Sequence, residues 1–347
     1  MKGKNVNDND QTVAGIGEFG LIDRIQRILP KVDHKDVVIG IGDDTAVIRI
    51  DKNRTLLITC DIQVEGQHFR WNNISPYQLG RRAIAVNLSD IAAMGGKPTF
   101  ALVSLGFPKS FPLSGFDDLF RGMRDQLSAF SAHILGGNLS NTESKLIIDI
   151  TLMGEVISNK FLTRSGAREG DRIFVTGNPG ASGAGFYVLE KFGTAYPAEF
   201  EHLVQSHLQP IPRIETGQRL AQSGFATAMI DVSDGIASDL NHICTISGVG
   251  AEIYQDRIPF PDEIHQVSSF SGKSALYLAL HSGEDYELLF TMKPDTPEAI
   301  IQSISKETSI AITEIGKILT KYSGYDLITL AQQRIPIQPK GWDHFSK

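Results

Sequence analysis

The sequence predicts an α/β (α+β) protein of two domains, each a mixed sheet with helices packed on it. Three observations lead there. The chain has 347 residues, more than a single core usually organises, so two apolar centres are expected. Short β-branched runs bounded by Gly and Asp alternate with stretches whose apolar residues recur at helical spacing. Residues 163–171, TRSGAREGD, are polar and glycine-containing, as a domain boundary would be. The expected organisation is a flexible tail at 1–16, an N-terminal domain at 17–160 and a C-terminal domain at 161–347.

Along the chain, Leu21, Ile25 and Ile28 fall on one face of a helix that Pro30 closes. Runs 37–41 and 55–59 read as strands that end in acidic turns. Ser75 followed by Pro76 is an N-cap with proline at the first helical position, and that helix runs to the stop at Gly95 and Gly96. Leu79, Ala83, Val86 and Asp90 share one of its faces, so an acid sits on an otherwise apolar stripe. Segments 99–105 and 146–156 read as strands, with a helix over 115–132 between them. In the second half, 172–176 is a strand, 177–185 a glycine-rich loop, 184–192 a helix, 227–230 a strand, and 236–247 a helix ended by Gly248.

Composition narrows the function. A net charge of -7 argues against binding to nucleic acid or to an anionic membrane, because both need a cationic surface. Two cysteines, Cys60 and Cys244, form neither a disulfide framework nor a thiolate metal cluster, which fits a reducing compartment and makes the cytoplasm the expected location. The first fifteen residues lack the apolar stretch of a signal peptide, and no later segment is apolar enough to span a bilayer. SGKS at 271–274 has Val267 where a phosphate-binding P-loop needs glycine, and neither a protein-kinase motif set nor a zinc motif is present.

Six aspartates stand at abrupt turns after apolar runs: Asp43 and Asp44 in GIGDDTAV, Asp61 in LLITCDIQVEG, Asp90 in AVNLSDIAAMGG, and Asp231 and Asp234 in AMIDVSDG. Each has a plain reading alone, since Gly-Asp-Asp is turn chemistry and Ser233 or Asp234 can cap the following helix. Few lysines or arginines lie beside them, and carboxylates that converge without a counter-ion raise one another's pKa. Magnesium resolves that conflict, because it takes carboxylate, water and phosphate oxygens. Metal-dependent phosphate chemistry is therefore expected. The loop GNPGASGAG at 177–185, between a strand and a helix, offers backbone N–H groups that could cradle a phosphate.

Taken in order, GEF (17–19), GIGDD (40–44), TCDIQVEGQHF (59–69), AVNLSDIAAMGGKP (85–98), LTRSGAREGD (162–171), IDVSDG (230–235), SGEDYELLF (282–290) and GWDHF (341–345) resemble the thiamine-monophosphate kinase family. That family lies in the superfamily of aminoimidazole ribonucleotide synthetase and selenophosphate synthetase. The resemblance implies ATP-dependent phosphorylation of thiamine monophosphate, several magnesium ions, and a synthetase-like fold whose N-terminal domains pair in a homodimer. It implies magnesium at Asp44, Thr59, Asp61, Asp90, Asp231 and Asp234, with Cys60 contributing through its backbone. It implies ATP contacts from Arg164 and Ser233, and contacts to the thiamine substrate from His68, Glu284 and Trp342. No catalytic residue beyond metal and substrate positioning is expected, since the attacking phosphate is already anionic.

Three positions depart from the family pattern. Asn138, in Gly136-Gly137-Asn138-Leu139, stands where the family carries an aspartate ligand; its amide oxygen still suits a metal but carries no charge. Cys60 replaces a usual threonine, and Ser282 replaces the first glycine of Gly-Gly-Glu-Asp, a mild change unless that position needs a left-handed backbone. The alternatives are a non-catalytic sensor of thiamine diphosphate or ATP, motivated by Asn138, and another ATP-using synthetase of the superfamily.

Overall fold

The computed structural model of the chain describes residues 17–29, 32–157 and 160–338. The expected tail at 1–16 and the GWDHF segment with Trp342 lie outside them. After helix α1 (Gly17–Ile28), strands β1 (Val37–Ile39), β2 (Ala46–Arg49), β3 (Arg54–Val64), β4 (Lys97–Pro108), β5 (His133–Thr142) and β6 (Ile147–Ile157) form one sheet in the order β1-β2-β3-β6-β4-β5. Only the β4–β5 pair in it is parallel, and helix α3 (Leu113–Ser128) makes the crossover that a parallel pair requires. Helix α2 (Pro76–Ala93) has the predicted start: the Ser75 side chain accepts from the Gln78 N–H, and Gln78 returns a bond to the Ser75 backbone, a capping box with proline at the first turn.

Alternation along the strands sets the core. Leu57 on β3, Val103 and Leu105 on β4, and Ile148, Ile150 and Leu152 on β6 are buried with Leu79, Ile84, Leu88 and Ile91 of α2. The opposite face of this sheet, with Ile62, Phe100 and Leu102 at 50%, 41% and 40% exposure, is uncovered.

The second sheet has the order β13-β12-β9-β11-β7-β10-β8. Its strands are β7 (Arg172–Thr176), β8 (Ala226–Asp231), β9 (Gly250–Tyr254), β10 (Leu288–Met292), β11 (Ile312–Leu319), β12 (Tyr325–Ile328) and β13 (Arg334–Pro336). Helices α4 (Ala181–Phe192), α5 (Glu201–Leu208), α6 (Ile214–Ser223), α7 (Ile236–Ser247), α8 (Ile264–Ser271), α9 (Ala275–His281) and α10 (Glu298–Thr308) accompany it. The architecture is thus the expected two-domain α+β arrangement with mixed sheets. No helix among the described residues is long and apolar enough to cross a membrane.

Helix α2 joins the halves because glycines let backbones approach it. A Cβ on Gly217 of α6 would lie 2.1 Å from the Ala92 carbonyl oxygen. On the other side of α2, a Cβ on Gly80 would lie 2.0 Å from the Leu119 carbonyl, and one on Gly122 2.0 Å from that of Tyr77. The helix expected over 115–132 stops at Ser128, since Ser131 takes a left-handed φ of 57° and β5 begins at His133. Gly80→Ala or Gly122→Ala must push α3 off α2, so each variant should lose about 1–3 kcal/mol of stability, read by chemical denaturation. Unchanged midpoints would show that the crossing has slack.

Candidate active site

Three of the predicted aspartates meet where the two sheets' domains join. Asp44 lies in the turn before β2, Asp90 in the last turn of α2, and Asp231 ends β8; carboxylate oxygens from the three lie within 4.8 Å of one another. Asp44 and Asp231 are buried and Asp90 is half-buried. Helix α2 organises the group. Ser89 Oγ donates to Asp231 Oδ2 at 2.7 Å, the Thr59 hydroxyl of β3 donates to the Asp90 carboxylate, and Asn87 Oδ1 accepts from the Asp61 N–H at 3.2 Å. The Asp61 charge adds to the field that raises Asp90.

Burial and mutual repulsion dominate the electrostatics. Burial first, then Asp61, Asp231 and Asp44, lift Asp90 well above the usual carboxylate range. Burial and then Asp44 push Asp231 up to about 8, against the hydrogen bond from Ser89. Asp43 is raised to about 6 by burial and by Asp44. The expectation that these acids have no cationic partner holds within each motif and fails across the chain. Arg164 reaches Asp44 Oδ1 with Nε at 3.0 Å and Nη2 at 2.5 Å, while its own N–H lies 3.2 Å from Asp43 Oδ1. One guanidinium does not balance this many carboxylates. Asp44 Oδ2 is buried without a hydrogen-bond partner among the described residues, and the donor set is entirely oxygen. Both features fit a hard divalent cation such as magnesium.

The remaining predicted residues divide into those near this group and those apart from it. Ser233 and Asp234 follow Asp231 after Val232, and the Asp234 N–H donates to Asp239 Oδ2 at 3.2 Å. His68 Nδ1 accepts from the Val64 N–H at 3.0 Å, which fixes the ring's orientation. Cys60 points to the other face of β3 from Thr59 and Asp61; its thiol donates to Asp149 Oδ1 at 2.9 Å, so only its backbone is placed with the acids. Asn138 pairs in register with Ser104 of β4, on the face of the sheet that bears Phe100 and Leu102. Ser282 has the right-handed φ of -88°, so its replacement of glycine strains nothing.

The glycine-rich loop behaves differently from expectation. The N–H groups of Gly180 and Ser182 donate to the Asp285 carboxylate at 2.7 and 3.0 Å, so the anion at the start of α4 is the protein's own. Asp285 belongs to a strained loop in which Gly283, Glu284 and Tyr286 have φ of 62°, 56° and 52°. Its neighbour Glu284 is bound by Arg82 of α2, a residue that sequence reasoning missed along with Asn87, Ser89 and Asp239. The helical period offers a signal for Arg82 and Ser89, since polar residues two turns apart on a buried helix need partners.

Fold and junction site together define an AIR synthase related protein: that family's N-terminal domain model matches residues 42–156 and its C-terminal domain model matches 168–325. A thiamine-monophosphate kinase of Buchnera aphidicola subsp. Schizaphis graminum is 38% identical over 94% of this chain and 98% of its own length. That of Escherichia coli K12 is 37% identical over 95% and 98%. A solved structure of AaThiL complexed with AMPPCP and TMP aligns with a TM-score of 0.81 at 34% identity, covering 96% of this chain and 99% of that one. The chain belongs to the thiamine-monophosphate kinase family.

A folded-state pKa of about 8 for Asp231 against 3.8 in the unfolded chain means that the folded form holds the extra proton between those values, so stability falls as pH rises from about 4 to about 8. A bound divalent cation displaces such protons. The rise in melting temperature on adding magnesium should therefore be larger at pH 8 than at pH 6, by calorimetry. An equal or smaller rise at pH 8 would count against metal binding at this group.

Proposed function

We propose that this chain transfers the γ-phosphoryl group of ATP to thiamine monophosphate, with magnesium held by Asp44, Asp90 and Asp231. The convergence of these three carboxylates, in a member of this family, carries the reading. A phosphate oxygen of thiamine monophosphate attacks the γ-phosphorus in line, the bond to the β–γ bridging oxygen breaks, and ADP leaves with that electron pair. The nucleophile is anionic, so no strong base is required and alignment dominates. Magnesium here supplies charge neutralisation between two polyanions. Asp61, Thr59 and Asp234 complete the oxygen donors around the group, Arg164 and Ser233 hold ATP phosphates, and His68 and Glu284 hold the thiamine moiety. Trp342, outside the described residues, is assigned to the same substrate.

The same reading extends to the assembly. The uncovered apolar sheet face bearing Ile62, Phe100 and Leu102 suits pairing with a second copy through the domain at 17–160, with 161–347 as the nucleotide- and substrate-completing domain. Three carboxylates converge at the junction without Asn138, which supports the kinase reading over a non-catalytic sensor. The cytoplasm, where ATP is available, is the proposed location.

Incubation of the purified chain with thiamine monophosphate, ATP and magnesium should yield thiamine diphosphate. Asp90→Ala and Asp231→Ala should each lower kcat by about 100-fold or more, since metal charge stabilisation is worth several kcal/mol. Their metal-free melting temperatures should hold or rise, because each removes repulsion. Either variant with unimpaired magnesium-dependent turnover would refute the metal assignment.

A further inference from the structure

Among the described residues Arg82 is the largest sealed side chain, at 1% exposure, and it sits on α2 two turns before Asp90. A buried guanidinium is costly to desolvate and persists only where its partners repay it. Its partners come from two separate elements of the other domain. Nη1 donates to the His207 carbonyl at 2.5 Å, at the end of α5, and Nη2 donates to Glu284 Oε1. Glu284 Oε2 lies 3.7 Å from His207 Nδ1. The ring nitrogen is also 3.2 Å from Ser182 Oγ.

Glu284 is held in an unusual state. Its backbone is left-handed at φ 56°, between Gly283 at 62° and Tyr286 at 52°, in a loop tied to the Asp231 turn by the Glu284 N–H to Ser233 oxygen bond at 2.7 Å. A non-glycine residue stays in that region only where its surroundings over-determine it, and such strain collects at functional sites. The Glu284 side chain is 36% exposed, whereas that of Arg82 behind it is sealed. One side of Glu284 is therefore anchored and the other is open. His68, across the junction, acts on the same carboxylate electrostatically.

We infer that Arg82 is a positioning residue for the phosphoryl acceptor: it clamps Glu284 so that the open carboxylate edge receives the cationic, amine-bearing ring system of the substrate. This rests on the kinase reading above. The same helix then carries Asp90 at one end and the anchor of the acceptor site near the other, so a single rigid rod sets the spacing between metal and acceptor ring. A purely structural alternative is that Arg82 caps α5 and holds the domains together, with no selective effect on either substrate.

The two are separated by a double-mutant cycle on the full chain, with Arg82→Met, Glu284→Gln and the pair. Each is read by calorimetric Kd for thiamine monophosphate, by KM for both substrates, and by melting temperature. Arg82→Met should weaken thiamine monophosphate binding by about tenfold, with KM for ATP shifting by less than about twofold. Because Arg82 acts through Glu284, the double variant should bind no worse than Glu284→Gln alone. Arg82→Lys, which keeps the charge and is the variant to use should Arg82→Met fail to fold, should recover part of the loss. Additive losses in the double variant, or equal losses for both substrates tracking a lowered melting temperature, overturn the inference. Calorimetry keeps the readings distinct: wild-type protein that binds thiamine monophosphate without turning it over sinks the kinase reading and still tests Arg82, whereas wild-type protein that does not bind it sinks both.

Discussion

Repulsion among buried carboxylates at the domain junction is the constraint on which the rest of the structure turns. Asp44, Asp90 and Asp231 come from three elements of two domains, and no local preference would gather them. What gathers them is α2. Its contacts with α3 and α6 run through glycines that admit carbonyl oxygens at distances a Cβ forbids, and its last two turns hand hydrogen bonds to Asp61 and Asp231. Packing energy from two cores is spread over many residues, while the electrostatic cost is concentrated on a few. The three carboxylates are thus already assembled, as a site preorganised for a cation would require.

The 282–287 side of the junction is preorganised by backbone strain rather than by burial. The loop 282–287 is zipped to the Asp231 turn: Tyr286 N–H donates to the Val232 oxygen at 2.9 Å and Val232 N–H to the Glu287 oxygen at 2.8 Å. A Cβ on Gly283 would sit 2.4 Å from the Ser233 oxygen, so this glycine is required by approach as well as by its φ of 62°. The Asp231 turn and the Glu284 loop are therefore fastened to one another. Glu287 anchors the far end through a two-pronged ion pair with Arg213, at 2.5 Å and 2.7 Å.

How legible all this was in the sequence depended on the range of the interaction. Helix α2 announces itself through Ser75, Pro76 and Gln78 within four residues, and α7 through Gly248. Strand β5 does not, because a Gly136-Gly137 pair has no side chains to show a strand's alternation; only the parallel partner β4, some thirty residues away, makes a strand of them, and Gly137 is needed because a Cβ there would meet the Val103 oxygen at 1.8 Å. The acidic motifs were visible as a set, but Arg164 as the partner of Asp44 was not, since the two are separated by 120 residues. Arg82 was hidden for the same reason, its partner Glu284 lying 202 residues on. Asp285 shows the converse error: a glycine loop before a helix was read as open to phosphate, and a carboxylate from 105 residues away fills it.

That last exchange bears on how a protein of net charge -7 handles phosphates at all. A helix N-terminus with free N–H groups is the usual anion cradle. Here the N–H groups of Gly180 and Ser182 are already committed to Asp285, whose pKa burial lifts to about 8 even though those two bonds favour its charged form. The cradle is therefore a structural cap, and it fastens the strained loop to α4. With that route closed, the Arg164 guanidinium, paired with Asp44, is the positive charge that faces a polyphosphate amid an excess of carboxylates. A divalent cation held by the carboxylates would supply the further positive charge, so acids that look hostile to a nucleotide are suited to recruiting its metal complex.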